Sequence, residues 1–125
     1  MSQKTLKITG LVLTIILGLL FTMSAFMKLT QNEEAVAQAL KIGFSVSTYQ
    51  MIGIIEVISL ILFIIPRTGI IGALLLMAYM GGAIATHLQH QDSIVMPVII
   101  EILIWIATFA RYPELIKQIS PANNK

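Results

Sequence analysis

The sequence predicts an all-α polytopic membrane protein: a four-transmembrane-helix bundle with a short amphipathic surface helix between spans one and two. Three observations predict it. Hydrophobic residues make up 57% of the 125-residue chain and charged residues 11%, whereas an ordinary soluble domain carries about 25% charged residues. The apolar residues gather into four runs, at about 8–28, 49–65, 69–88 and 94–111, each close to the ~17–25 residues that cross a bilayer as a helix. Each run is apolar around its whole circumference, as a helix facing lipid requires. The length suits one unit, so residues 1–125 are expected to form a single integral membrane domain.

Span one follows Lys4 and Lys7, and these resemble the basic start of a secretory leader, with small residues at Ser24-Ala25. The apolar run is longer than a leader's and lacks an A-x-A site, which favours a retained span. The segment 30–43 is different in kind. Gln31-Asn32-Glu33-Glu34 reads as a helix start with acidic residues in the first turn. Ala35, Val36, Ala39, Leu40 and Phe44 follow at helical spacing, and Lys41 with Gly43 suits a helix end. This is the expected surface helix, its apolar side on the membrane. Span two is stopped by Pro66-Arg67. Span three carries Gly69, Gly72, Ala73, Gly81 and Gly82, small residues that let helices approach, and is expected to be the central packing helix. Its glycines also leave a homo-oligomer open. Span four stops at Arg111-Tyr112-Pro113, with Arg111 and Tyr112 expected as interfacial anchors.

Lysine and arginine placement gives the direction. Lys4, Lys7, Arg67, Arg111, Lys117 and Lys125 fall on one side, and Lys28 and Lys41 on the other. The positive-inside rule then places both termini in the cytoplasm of a multi-pass cell-membrane protein.

Against this apolar background two carboxylates stand out. Glu56 and Glu101 have nearly the same neighbours, Ile54-Ile55-Glu56-Val57-Ile58 and Ile99-Ile100-Glu101-Ile102-Leu103. A carboxylate at mid-helix in a membrane costs about 2.5–3.5 kcal/mol on insertion scales, and such residues are by default functional. Both lie about seven residues into spans that start outside, hence ~10 Å below the outer surface. Lys28 and His87 end the two spans that run outward. Helical spacing then groups Tyr49, Gly53, Glu56 and Leu60 on span two, and Ser93, Pro97, Glu101, Trp105 and Thr108 on span four. It groups Tyr79, Ala83, Thr86 and His87 on span three, and Gly18, Thr22, Ala25 and Lys28 on span one. The expected site is an outward-facing polar pocket of Lys28, Glu56, His87 and Glu101, with Tyr49, Tyr79 and Trp105 as aromatic walls. Such a pocket suits a proton relay, a cation or amine site, or hydrogen bonds to a quinone or similar headgroup. The bland reading is that the four groups merely pair and lock the bundle.

Other chemistries find little support. The chain has no cysteine, which removes disulfides, thiolate metal sites and dithiol redox chemistry by the protein itself. His87 and His90 with Asp92 have a spacing that metal ligands use, but it is a weak signal, and no metal site is assigned. The net charge of +2 without a basic polar face does not point to nucleic acid. There is no G-x-S-x-G, phosphate-binding loop or dinucleotide fingerprint. No catalytic residue is assigned, and catalysis by the chain alone is not expected. The two hairpins, each with a basic group ending its first helix and Ile-Ile-Glu inside its second, have the look of a parallel repeat.

Several segments resemble a known family. They are Ser24-Ala25-Phe26-Met27-Lys28-Leu29 closing span one, Gly53-Ile54-Ile55-Glu56 in span two, and Gly72-Ala73-Leu74-Leu75-Leu76-Met77 leading to Gly82-Ala83-Ile84-Ala85-Thr86-His87-Leu88. Together they resemble the DoxX-like family of small four-helix membrane proteins over about residues 6–112. Lys28, Glu56 and His87 fit that family's polar set, and Glu101 fits it less well. The family usually has Ser-Gly where this chain has Ser24-Ala25. The resemblance implies a fold and a loose range of roles: subunits of quinone-linked oxidoreductases, partners of oxidative-stress enzymes, and receptor-assembly factors.

Three functions are therefore weighed. The leading one is an accessory subunit of a membrane redox or stress-response system, with a redox-enzyme partner and a quinone or other small amphipathic ligand in the outward pocket. The second is a small proton-coupled transporter of cationic compounds. It resembles the small multidrug exporters in size, but their key glutamate lies in span one and here span one has none. The third is a membrane assembly or chaperone factor without chemistry.

Overall fold

A computed structural model describes residues 2–120. Lys125, one of the cations that set the predicted orientation, lies outside the described residues. The described chain forms six helices: α1 (Gln3–Leu29), α2 (Glu33–Lys41), α3 (Val46–Ile64), α4 (Gly69–Gln89), α5 (Val95–Arg111) and α6 (Glu114–Ile119). The starts of α1, α2 and α3 are capped by short polar side chains. Ser2 accepts from the Thr5 amide, Asn32 from Glu34 and Ser45 from Thr48, each satisfying an otherwise orphaned donor. Gln31, Gly43 and Gln91 follow α1, α2 and α4 with positive φ, at 55°, 84° and 58°. This left-handed residue turns the chain sharply and returns an amide to the last helical turn, as Phe44 N does to Ala39 O at 2.8 Å.

The four long helices stand in a ring, α1–α3–α4–α5, each packed on two neighbours. Short connections make adjacent helices antiparallel. The core is a central column of Leu17 and Phe21 from α1, Leu60 and Phe63 from α3, Leu76 and Met80 from α4, and Ile104 and Ala107 from α5. The expected central role of α4 is corrected: it is one member of the ring. Gly69 and Gly72 are buried at close approaches, but a Cβ on Gly81 or Gly82 would meet nothing within 4 Å. The outer faces remain apolar, with Leu11, Leu19, Ile54, Ile71, Leu74, Val95 and Ile102 all exposed. Water does not favour such a surface, and hydrocarbon does.

Three helices, α1, α3 and α4, are long and apolar enough to cross a membrane. The sequence leads one to expect a fourth span at 94–111. There α5 has 17 residues, about 25 Å of helix. The expected surface helix exists as α2, and its apolar side meets protein. Ala35, Ala39 and the following Ile42 are buried, and α2 packs on α1 and α3.

At the opposite end, Arg111 is no mere interfacial anchor. Its Nη1 donates to Phe63 O at 2.7 Å and its Nη2 to Ile64 O at 3.4 Å, while Tyr112 Oη donates to Pro66 O at 2.7 Å. These carbonyls end α3, where no helical amide remains to serve them. Gly10 makes room, since a Cβ there would lie 2.8 Å from Arg111 Cγ. Arg111→Met should lower stability by about 1.5–3 kcal/mol, the worth of a hydrogen bond to a charged group. Thermal unfolding in detergent measures it.

Candidate functional site

Ser24 and Lys28 are one turn apart on α1 and face α3. Gly53 on α3 lies beneath the lysine stem: a Cβ there would sit 3.0 Å from Lys28 Cβ. Helical spacing then puts Glu56 on the same inward face as Gly53. Lys28 Nζ stands 3.2 Å from Glu56 Oε1. Ser24 Oγ also donates to Glu56 Oε1, at 3.3 Å, and accepts from Lys28 Nζ. The carboxylate is 1% exposed and the lysine side chain 10%. A buried ion pair with a hydroxyl serving both partners is the arrangement that makes such burial bearable.

Two aromatic rings complete the enclosure. Lys28 Nζ lies 5.3 Å from the centre of the Tyr49 ring and 6.0 Å from that of Tyr79, both within reach of a cation–π attraction. Tyr79 is set by an edge-to-face contact with Phe21, with centroids 6.2 Å apart. Its hydroxyl approaches the Glu56 carboxylate. Several cavities adjoin this pair, and two of them share much of their lining. One, of about 310 Å³, opens between α3, α4 and α2 and is bounded by Tyr49, Gly82 and His87. The other, of about 350 Å³, is lined from α1, α3, α4 and α5 and is bounded by Ser24, Glu56 and Pro97. Lys28, Tyr79, Ala83 and His87 line both.

The structure therefore brings together Lys28, Glu56, Tyr49, Tyr79 and His87, five of the seven residues singled out from the sequence. It does not bring Glu101 or Trp105. Trp105 Nε1 donates to Glu101 Oε1 at 3.1 Å, and both stay on the outer side of α5, where Trp105 also stacks near Phe109. The reason is helical register. The inward residues of α3 are Gly53, Glu56, Leu60 and Phe63, and the same spacing on α5 picks out Pro97, Ile100, Ile104 and Ala107. Ile100 thus occupies the place that Glu56 has, and Glu101 is turned one residue, ~100°, away. The apparent repeat does not extend to the carboxylates. Thr22, grouped with Lys28 from spacing, is likewise exposed, and Ser24 takes its place.

His87 does not pair with a glutamate. Its Nδ1 lies 3.5 Å from Asp92 Oδ2, and Asp92 Oδ1 lies 3.0 Å from Lys41 Nζ. His87 Nδ1 and Asp92 Oδ2 are buried without a hydrogen bond. Asp92 thus ties α2 to the α4–α5 turn, beside the cavity mouth. Neither Lys41 nor Asp92 was expected in this role, because their pairing joins the end of α2 to a turn distant in sequence.

The hydrogen bond and charge of Lys41 hold the Asp92 carboxyl below its usual range, with a smaller pull from His87. A carboxyl lowered in the folded protein stabilises it above the unfolded value, and the contribution is lost as pH falls through the folded one. The tie should therefore hold at neutral pH and release only in acid below the ordinary carboxylate range. A spin label at Ala37→Cys should become mobile in that window, and Asp92→Asn should show the same mobility at pH 7. The absence of native cysteines makes the label unique.

No curated protein and no solved structure matches the chain. A family model does match, over residues 12–108, a stretch that holds Ser24, Lys28, Tyr49, Glu56, Tyr79, His87 and Asp92. By that match the protein belongs to the DoxX-like family.

Proposed function

We propose that this DoxX-like membrane protein crosses the bilayer four times and binds a small amphipathic molecule, a quinone-type headgroup, at the Lys28–Glu56 pair. In this reading α5 is the fourth span: it closes the ring between α1 and α4, and Val95, Ile99, Ile102 and Ile106 leave its outward side apolar. Both termini lie in the cytoplasm, in keeping with the basic residues at that end.

One observation carries the proposal. A buried ion pair, walled by two tyrosines, adjoins two cavities that share Lys28, Tyr79, Ala83 and His87 in their lining. Their volumes fall within the ~300–1,000 Å³ typical of small-molecule sites. Openings between helices admit a ligand from lipid, so a headgroup with a long apolar tail can enter while its tail stays in hydrocarbon. Lys28 and Tyr79 supply donors to a carbonyl oxygen, and Glu56 supplies a carboxylate that exchanges a proton. A redox partner provides the electrons for such a ligand, and the chain acts as its accessory subunit.

The test is retention of quinone by protein purified in mild detergent, with titration by a short-chain quinone. Gly82→Leu fills an opening without touching the ion pair, and Tyr79→Phe removes one donor. Each should weaken binding tenfold or more. Wild-type protein that neither retains quinone nor binds the short-chain compound would sink the proposal.

A further inference from the structure

We propose a second site at the other end of the bundle: a groove along α1 that seats one anionic phospholipid. The groove measures about 590 Å³. Thr14, Gly18 and Thr22 recur every four residues on α1 and form its floor. Gly18 keeps the floor low, since a Cβ there would meet only Ile64 Cδ1, at 3.9 Å. Leu11, Ile15 and Leu19 rise on the α1 side and Ile64 on the α3 side. The result is an apolar channel facing lipid.

Its end is charged. Lys7 and Arg111 line the same groove where it reaches Pro66 and Tyr112. From Lys7 to Thr22 the helix rises ~22 Å, whereas the hydrocarbon of one leaflet is ~15 Å thick. An acyl chain lying along the floor therefore puts its phosphate beside the two cations. Arg111 is held in place by Phe63 O and Ile64 O, and its planar guanidinium suits a phosphate. The bundle end around it carries Lys4, Lys7, Arg67, Arg111 and Lys117 against Glu114 alone among the described residues. The charge selects an anion, and the apolar channel leading from it selects one with an acyl chain. The site rests on the membrane-spanning reading and is independent of the quinone proposal.

The experiment is native mass spectrometry of detergent-purified protein titrated with phosphatidylglycerol and phosphatidylcholine of identical acyl chains. Wild type should retain one phosphatidylglycerol at least fivefold more tightly than phosphatidylcholine. Lys7→Gln should abolish that preference while leaving phosphatidylcholine unchanged. Gly18→Leu should weaken both lipids. Lys7 is exposed, so its replacement leaves the fold intact, whereas Arg111 also ends α3 and is unsuited to the test. Equal retention of the two lipids by wild type, or a preference that survives in Lys7→Gln, would overturn the site.

Discussion

Lys28→Met should lower stability by about 3–5 kcal/mol, the loss that follows when one partner of a buried ion pair is removed. Glu56 is 1% exposed, and in this variant only the Ser24 and Tyr79 hydroxyls would remain to serve its charge. Glu56→Gln should be milder. The lysine left behind is 10% exposed and can extend its ammonium toward the outer surface, with Ser24 and two tyrosine rings still beside it. The double variant Lys28→Met/Glu56→Leu should recover most of the loss, because a well-packed apolar pair often replaces an ion pair without cost. It should still fail to bind quinone. Unfolding midpoints in detergent, read beside quinone binding, separate the two roles. A double variant that regains stability and binding together would make the pair a structural clamp only.

Gly72→Ala is expected to cost about 3 kcal/mol, at the upper end of the usual range for overpacking. A Cβ at Gly72 would overlap the backbone N and Cα of Phe63, so the α3–α4 pair would have to part. Backbone cannot step aside as a side-chain tip can. Gly81→Ala is the control: its Cβ would meet nothing, and the gain in helix propensity should raise stability by about 0.5–1 kcal/mol. Thermal unfolding of the two variants should move in opposite directions. A Gly72→Ala protein as stable as wild type would mean that α3 and α4 do not meet at this distance.

The helices were legible because hydropathy in lipid is an unsubtle signal. The apolar runs at 49–65 and 69–88 end within three residues of α3 and α4 at either boundary, and Gly43 marks the turn after α2. The short α6 was not anticipated, as it follows Pro113 outside any apolar run. The candidate site was legible in its charges and incomplete in the neighbours that surround them. Lys28 and Glu56 announce themselves as charges among apolar neighbours. Glu101 announces itself in the same way, yet its face of α5 is settled by a one-residue register that its neighbours do not encode. Ser24 is a common small residue whose weight appears only when Glu56 stands opposite. Lys41 reads as an ordinary basic residue at a helix end and Asp92 as one of several polar turn residues, and no sequence signal distinguishes a tie from a solvated charge.

The reach of Arg111 back to Phe63 has a consequence for synthesis. The two residues are 48 positions apart, which a ribosome covers in roughly 2–10 s. During that interval α3 already exists, but the carbonyls at its end await their donor and the groove at Gly10 is vacant. The nascent chain is thus an open three-sided assembly that α5 latches shut. Chains interrupted before Arg111 would keep that end unlatched.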